Sequence, residues 1–231
     1  MSLYLIIELC AVIIPLIFSF DKNLQFYKNW KSVIVSFIIV GSIFIPTDIF
    51  FTKYGVWGFN SAYHSNIILL HLPLEEWLFF IAIPYASIFL HYTLVYYFPN
   101  ILLNRKNTWI ISCLLLLILM IVILFNYSRT YTVFNSIIMI LAIILALFDK
   151  TKTINRFYIS FLFILIPFFM VNSILTGSFI EKGVLWYNPS DILGIRIFTV
   201  PVEDAGYAFS LILLNLLLMS KFQILFKSRS N

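Results

Sequence analysis

The sequence predicts an all-α, polytopic membrane helical bundle of about seven transmembrane helices, organised as a tandem parallel repeat of a three-helix unit joined by one connector helix. Three observations support this prediction. Hydrophobic residues make up 62% of the 231 residues and charged residues only 11%, whereas soluble domains carry about 25% charged residues. Long apolar segments recur along the chain, and its two halves share scarce residues at one constant spacing.

The apolar segments have the length that a bilayer requires. A hydrocarbon core about 30 Å thick is crossed by about 20 apolar residues in a helix. Seven segments meet this requirement: 3–20, 32–50, 74–98, 108–126, 131–148, 157–176 and 197–219. The first lacks the preceding basic residue and the following small-residue cleavage site of a signal peptide. We therefore expect it to remain as a membrane helix.

The basic residues predict how the chain is oriented, because cytoplasmic loops are enriched in Lys and Arg. Eleven basic residues fall on one predicted face: Lys22, Lys28, Lys31, Arg105, Lys106, Lys150, Lys152, Arg156, Lys221, Lys227 and Arg229. Four fall on the other: Lys53, Arg129, Lys182 and Arg196. We predict a multi-pass protein of the cell (plasma) membrane with an extracytoplasmic N-terminus and a cytoplasmic C-terminus. The asymmetry explains the net charge of +5 without a nucleic-acid partner.

An internal repeat appears when the sequence is shifted along itself so that position 20 falls on position 148; this shift is called the repeat offset. Residues 20–22 then align with 148–150, 55–60 with 183–188, and 73–76 with 201–204, without a gap. The shift places the first three spans on the last three, and the fourth span remains as a connector. Corresponding helices are four apart, so the two copies share one orientation in the membrane. We predict a first repeat at 1–107, a connector helix at 108–127 and a second repeat at 128–231.

Each copy carries a proline followed by acids where its last helix begins: Pro73-Leu74-Glu75-Glu76 and Pro201-Val202-Glu203-Asp204. Proline at the first helical position and acids in the first turn stabilise a helix start, so a local structural role remains open. Two carboxyls at each of these two sites, at or below the membrane interface, are costly, however, which favours a functional role. Desolvation and mutual repulsion favour the protonated carboxyl. We expect at least one of these acids to act as a general acid.

Adjacent residues of a helix diverge by about 100°, so we expect one acid of each pair to face the site. The other would orient it or bond to a neighbouring helix. Candidate lining residues, chosen for their chemistry and their place near the motifs, are Asp48, Trp57, Phe79, Phe80, Trp186, Tyr187 and Tyr207. Aromatic rings around a proton donor would stabilise a carbocation. We interpret Glu8 as a packed, hydrogen-bonded interior residue.

We predict no metal site from the remaining ligand types. His64, His71 and His91 do not repeat and lack metal-ligand spacing, which favours interfacial or packing roles. Cys10 and Cys113 fall inside predicted spans, where packing is the simplest interpretation.

The two acid motifs, with Trp-Leu-Phe-Phe after the first and Ala-Gly-Tyr after the second, resemble the Pro-x-Glu-(Glu/Asp) motifs of the small membrane lycopene β-cyclases, which occur as two subunits or as one fused chain. The resemblance covers nearly the whole chain, including the N-terminal Tyr-Leu helix that ends Ser-Phe-Asp. It also includes Gly-Val-Trp at 55–57 and Leu-Trp-Tyr-Asn at 185–188.

This resemblance implies a membrane enzyme of carotenoid biosynthesis that acts on lycopene or a related linear carotenoid within the bilayer. The linear ψ ends would become β-ionone rings, through γ-carotene to β-carotene, without net redox change. Glu75, Glu76, Glu203 and Asp204 would supply acid and base. The chain lacks a glycine-rich dinucleotide fingerprint, so no organic cofactor is expected.

Two features leave alternatives open within the family. Ala205-Gly206 replaces the bulky Trp77-Leu78 of the first motif, so the copies could be unequal and the product could carry one ring or two. The sequence also leaves open homo-oligomerisation and association with other enzymes of the carotenoid pathway.

Three other functions fit the sequence less well. The first is a membrane prenyltransferase or other isoprenoid-modifying enzyme; a prenyltransferase would need aspartates spaced to bind Mg²⁺ and diphosphate, which adjacent acids do not provide. A glutamate intramembrane protease would continue Glu75-Glu76 with Arg at position 80, where this chain has Phe80. A small proton-coupled carrier would also have repeats with membrane acids, but here the acids lie at helix ends.

Overall fold

Seven α-helices form the protein in the computed structural model, which describes residues 2–228 and their side chains as far as residue 226. The helices are α1 (Leu3–Phe18), α2 (Trp30–Tyr54), α3 (Leu74–Tyr97), α4 (Arg105–Phe125), α5 (Thr130–Phe148), α6 (Thr153–Leu175) and α7 (Val202–Ser228). A 3₁₀ turn, Phe26–Asn29, precedes α2. Helices α2 to α7 are long and apolar enough to cross a membrane. Helix α1 is also apolar but has only 16 residues, about 24 Å at 1.5 Å per residue.

The prediction of an all-α membrane bundle is confirmed. Of the basic residues used to predict its orientation, Arg229 and the side chain of Lys227 lie outside the described residues.

Short hairpins replace part of one predicted span. The segment 197–219 was expected to be helical, but β5 (Arg196–Ile197) pairs with β6 (Val200–Pro201), and α7 begins only at Val202. An equivalent hairpin, β2 (Ile68–Leu69) with β3 (Leu72–Pro73), precedes α3. These residues are apolar enough to extend a hydropathy window, but Phe198 takes a left-handed backbone with φ 55°, which a helix cannot accommodate. The prolines therefore end strands immediately before the helices and do not occupy the first helical position.

The repeat seen in the sequence is a repeat of structure. Helices α1 to α3 correspond to α5 to α7, and in each copy the first helix packs along the third. The hairpins before α3 and α7 are related by the repeat offset, as are their left-handed turn residues Leu70 and Phe198. Helix α4 links the copies and packs mainly against α5. The tandem parallel arrangement is thus confirmed.

The copies are joined by an antiparallel strand pair, β1 (Trp57–Phe59) with β4 (Leu185–Tyr187). Trp57 lies opposite Tyr187 and Phe59 lies opposite Leu185, so a twofold operation exchanges these two pairs. The approximate axis passes through the remaining pair, Gly58 and Trp186. A Cβ atom on Gly58 would lie 2.6 Å from Cζ2 of Trp186, so this close approach requires glycine. Beside the strand pair, α2 packs on α7, and α3 packs on both α6 and α7.

The outer surface of the bundle is apolar, as expected where helices face lipid. Helix α4 exposes Leu114, Leu117, Ile118 and Leu124. Cys10 and Cys113 are also exposed, so the interpretation of both thiols as packed interior residues is wrong. An apolar solvent permits this arrangement because a thiol behaves as a small hydrophobe.

Candidate active site

The first acid of each motif fixes the loop that precedes its helix. Glu75 Oε1 accepts hydrogen bonds from the Ser65 backbone N–H at 2.6 Å and from the Ser2 hydroxyl at 2.5 Å. Glu203 Oε1 accepts the equivalent bonds from the Leu193 N–H at 2.6 Å and from the Thr132 hydroxyl at 2.7 Å. Ser65 and Leu193 are themselves related by the repeat offset. In both copies this acid therefore ties the helix start to the preceding loop and to the first helix of the unit.

The second acid of each motif lines a cavity between the two copies. Glu76 Oε2 accepts a hydrogen bond from the phenol of Tyr4 at 2.6 Å. Asp204 accepts two, from Tyr131 at 2.8 Å and from Tyr187 at 2.7 Å, one on each carboxyl oxygen. The two carboxyls are thus presented from opposite repeats to one space, and each is held by tyrosine.

This cavity has a volume of about 50 Å³ and mostly apolar walls. Its lining residues are Tyr4, Asp48, Trp57, Glu76, Phe79, Ile83, Tyr131, Phe168, Asn172, Leu185, Tyr187, Asp204, Tyr207, Ala208, Leu211 and Ile212. Asp48, on α2, brings a third carboxyl, and the Tyr207 phenol donates to its Oδ2 at 2.9 Å. The repeat counterpart of Asp48 is Thr176, which bonds to Thr199 and to the Asn172 carbonyl. The cavity is therefore asymmetric in charge although its frame is symmetric.

The predicted aromatic residues divide into two groups. Trp57, Phe79, Tyr187 and Tyr207 line the cavity together with Asp48. Phe80 does not line it, but it is buried in the apolar cluster beside it.

Trp186 lies outside the cavity as well. Its side chain is 47% exposed, covers Gly58 and borders a separate groove that also contains Arg196. Although Trp186 is close to the acids in sequence, it lies on the opposite face of strand β4 from the cavity, because side chains alternate along a strand. Its neighbours Leu185 and Tyr187 are the ones that line the cavity.

Sequence reasoning missed the two phenols in the first turns of α1 and α5. Tyr4 and Tyr131 are both buried and both donate to a motif acid. The available signal was a tyrosine at the acid-bearing end of the first helix in each copy. It was obscured because the repeat offset aligns Tyr4 with Thr132, not with Tyr131.

Glu8 is buried as expected, with 2% of its side chain exposed. Within residues 2–228, however, neither of its carboxyl oxygens has a hydrogen-bond partner. The expectation that Glu8 is hydrogen-bonded is therefore wrong.

The cavity contains neutral phenols that already donate to its carboxyls and two polar atoms that have no hydrogen-bond partner among the described residues. Burial raises the pKa of the Tyr187 phenol well above its usual value, and the nearby Asp204 carboxylate raises this pKa further. Tyr187 is therefore a neutral hydrogen-bond donor. Trp57 Nε1 and Asp48 Oδ1 are buried and have no partner among the described residues, although such atoms are usually paired. The cavity thus combines carboxyls, neutral donors and ring faces.

The fold and this site together define a class: an integral membrane protein of two parallel three-helix repeats, with one motif carboxyl from each repeat in an aromatic cavity at their junction. A family model described as lycopene cyclase matches residues 1–94 and 128–222. The chain belongs to the lycopene cyclase family, which gives it a carotenoid substrate, a membrane setting and a place in carotenoid biosynthesis. No curated protein and no solved structure gives a significant match.

Proposed function

We propose that the protein is a lycopene β-cyclase, an intramolecular lyase or isomerase that closes the linear ψ ends of lycopene to β-ionone rings. The observation that carries this proposal is the meeting of Glu76 and Asp204, one from each repeat, in one ring-lined cavity. Cyclisation needs a proton donor, a proton acceptor and walls that tolerate a carbocation. The cavity contains groups suited to each of these tasks.

The reaction is balanced without any redox partner. A carboxylic acid donates its proton to the terminal double bond, and a tertiary cation forms. The C5–C6 double bond attacks this cation, which creates the ring bond and moves the positive charge into the ring. A carboxylate then removes a ring proton and leaves the ring double bond. One proton is gained and one is lost, so each closure is an isomerisation.

The four motif acids divide into two roles in this proposal. Glu76 and Asp204 handle protons, whereas Glu75 and Glu203 hold the helix starts in place. Asp204 is assigned as the base because both of its oxygens accept phenol hydrogen bonds, which stabilise a carboxylate. Glu76, with one phenol partner, is assigned as the donor.

The aromatic walls would stabilise the cation between these two steps. Phe79, Trp57 and Tyr207 lie in the same lining as the acids, and ring faces attract positive charge by about 2 kcal/mol or more where water is excluded. An isoprenoid end group is larger than the 50 Å³ of this cavity. Binding of the substrate therefore requires the walls to separate.

The membrane arrangement is part of the proposal. The repeats extend over 1–107 and 128–231 with the connector helix at 108–127, and the chain lies in the plasma membrane. The distribution of Lys and Arg favours an extracytoplasmic N-terminus, a cytoplasmic C-terminus and an active site near the extracytoplasmic surface.

Conversion of lycopene by cells that accumulate it tests the proposal. Expression of the wild-type chain should replace lycopene with γ-carotene and β-carotene, measured by chromatography of extracted pigment. Glu76→Gln and Asp204→Asn should each lower the rate of cyclisation by about 10² to 10⁴, because general acid–base catalysis contributes that much. Isolated membranes in D₂O should place one solvent deuterium in each new ring.

Glu181→Gln is the matched control, because Glu181 is an exposed loop carboxylate outside the cavity. It should keep wild-type conversion at equal membrane abundance. Unchanged lycopene in cells that contain abundant wild-type protein would refute the proposal. Full conversion by both cavity variants would show that Glu76 and Asp204 are not the acid and the base. Rings without solvent deuterium would exclude protonation from an exchangeable carboxyl.

A further inference from the structure

A second, larger cavity lies at the opposite end of the bundle from the acids. Its volume is about 760 Å³, within the range of about 300–1,000 Å³ typical of small-molecule sites. It lies between the C-terminal part of α3, the start of α4, the connection between α5 and α6, and α7. Its lining includes Tyr92, Leu102, Arg105, Trp109, Lys152 and Arg156. The proposed cyclisation uses none of these residues.

The polar part of this cavity is strongly basic. Arg105, Lys150, Lys152 and Arg156 all line it, and Asp149 is the one acidic residue of the lining. Asp149 accepts a hydrogen bond from the Thr151 backbone N–H at 3.0 Å and so caps its own turn. Four cations around one carboxylate leave an excess of positive charge at the cavity mouth.

Two helices also begin at this cavity. Helix α4 starts at Arg105 behind the capping residue Asn104, whose side chain accepts the Asn107 N–H at 2.8 Å. Helix α6 starts at Thr153. Both starts belong to the cavity lining, and helix N-termini carry partial positive charge that favours anions. The helix ends therefore add to the field of the four side chains.

Part of the remaining cavity wall is apolar and includes residues exposed on the surface of the bundle. Val95, Leu102, Trp109, Leu147 and Leu216 belong to the lining, and Leu102 and Trp109 are also exposed on the outside of the bundle. A basic mouth continuous with an apolar, lipid-facing wall matches an amphiphile with an anionic head. It does not match an uncharged polyene.

We propose that this cavity binds an anionic phospholipid of the membrane, with the phosphate between Arg105, Lys152 and Arg156 and the acyl chains along α3 and α4. Basic pockets between membrane helices on the cytoplasmic side are suited to such headgroups. The apolar wall distinguishes a lipid phosphate from free phosphate, because only the lipid covers that wall.

Native mass spectrometry of the purified full chain tests the site. The protein in neutral detergent is mixed with phosphatidylglycerol and phosphatidylcholine of identical acyl chains. We expect the wild type to retain one phosphatidylglycerol in preference to phosphatidylcholine. Arg105→Gln combined with Lys152→Gln should weaken this binding on the order of 25-fold, since each cation near the lipid surface contributes about fivefold.

The matched control removes two cations that are also exposed but do not line the cavity, Lys22 and Lys28. Lys22→Gln combined with Lys28→Gln should change phosphatidylglycerol binding less than about twofold, because both charges lie in the connection before α2 and the four cations of the cavity lining stay in place. An equal loss in both double variants, or equal retention of both lipids by the wild type, would overturn the proposal. Displacement of the lipid by millimolar inorganic phosphate would identify a free-anion site instead.

A second measurement does not depend on the charge variants. Phosphatidylglycerol with brominated acyl chains should quench tryptophan fluorescence of the wild type more than brominated phosphatidylcholine does. The difference should disappear in Trp109→Phe, which keeps a ring in the cavity wall. A lipid preference that persists in Trp109→Phe would place the bound lipid elsewhere.

Discussion

Glu75 and Glu76 are neighbours of the same chemical type, but the fold gives them different surroundings. Glu75 accepts a backbone N–H and two hydroxyl hydrogen bonds at a loop, through Ser2 and Ser65. Glu76 meets one phenol inside the cavity. The angle of about 100° between adjacent helical residues predicts such a division. Which acid faces inward depends on the rotation of the helix about its axis, and only the packed bundle reveals it.

Substitution of the loop-facing acids, Glu75 and Glu203, should therefore lower the stability of the fold more than it lowers the rate of cyclisation. In Glu75→Gln and Glu203→Gln, the charge-assisted bonds from Ser65 and Leu193 become neutral bonds. Loss of the stronger bonds costs about 1–3 kcal/mol. We expect a lower melting temperature in detergent, measured by intrinsic fluorescence. The cyclisation rate per folded molecule should fall less than about tenfold.

The cavity variants Glu76→Gln and Asp204→Asn provide the comparison. They should retain a melting temperature close to that of the wild type and lose most of their cyclisation. If Glu75→Gln melted like the wild type and abolished cyclisation, the assignment of anchoring and proton-handling roles would have to be reversed.

At the level of elements, hydropathy located every helix but did not locate the hairpins. Ile197 is apolar, so hydropathy assigns it to the span 197–219, although it pairs in a two-residue strand as Ile68 does before α3. The constant offset was the stronger signal. It maps the start of α3 at Leu74 onto Val202, where α7 does begin, whereas hydropathy alone placed that start at position 197.

The cavity residues were only partly predictable for a related reason. Residues near the motifs in sequence, such as Trp57 and Phe79, were found because they flank the acids. Phe168 and Asn172 come from α6, a helix that carries no motif acid, and nothing local in the sequence links them to the acids. Their place depends on how α6 and α7 pack across the junction of the repeats.

The strand pair at that junction gives a prediction of its own. Gly58→Ala would bring a Cβ within 2.6 Å of the Trp186 ring, so the ring or the strand must move. Overpacking costs about 1–3 kcal/mol, and we expect a lower melting temperature and slower cyclisation, because β1 and β4 also carry Trp57 and Tyr187. Thermal unfolding in detergent measures the melting temperature, and pigment analysis measures the rate of cyclisation.

Removal of the opposing ring should rescue this variant. Gly58→Ala combined with Trp186→Ala relieves the clash, so the double variant should melt above Gly58→Ala alone. Trp186→Ala by itself serves as the reference for the lost ring. Strictly additive effects of the two substitutions would show that the contact between Gly58 and Trp186 does not limit the junction.

The molecule as a whole consists of a nearly symmetric frame with asymmetric contents. Loop hydrogen bonds recur at the repeat offset, as when the Asn60 N–H bonds to Val184 and the Asn188 N–H bonds to Val56. The cavity contents do not repeat, because Asp48 has no acidic counterpart and Asp204 has one more phenol partner than Glu76. Duplication of a unit explains the frame. Division of acid and base roles between the two copies would explain why their acids have diverged.

The parallel frame makes one further prediction, about the accessibility of matched loop positions. Ala62 and Ser190 are repeat counterparts beside the acid end of the bundle, and Lys22 and Lys150 are counterparts at the other end. All four are exposed. Single cysteines at these positions, in a Cys10→Ser and Cys113→Ser background, should react with a membrane-impermeant maleimide in pairs. Positions 62 and 190 should label in intact cells, and positions 22 and 150 only after lysis, because basic loops remain in the cytoplasm.

The reverse pattern would invert the proposed orientation. Labelling of one member of a pair without the other would contradict the parallel relation of the repeats in the membrane.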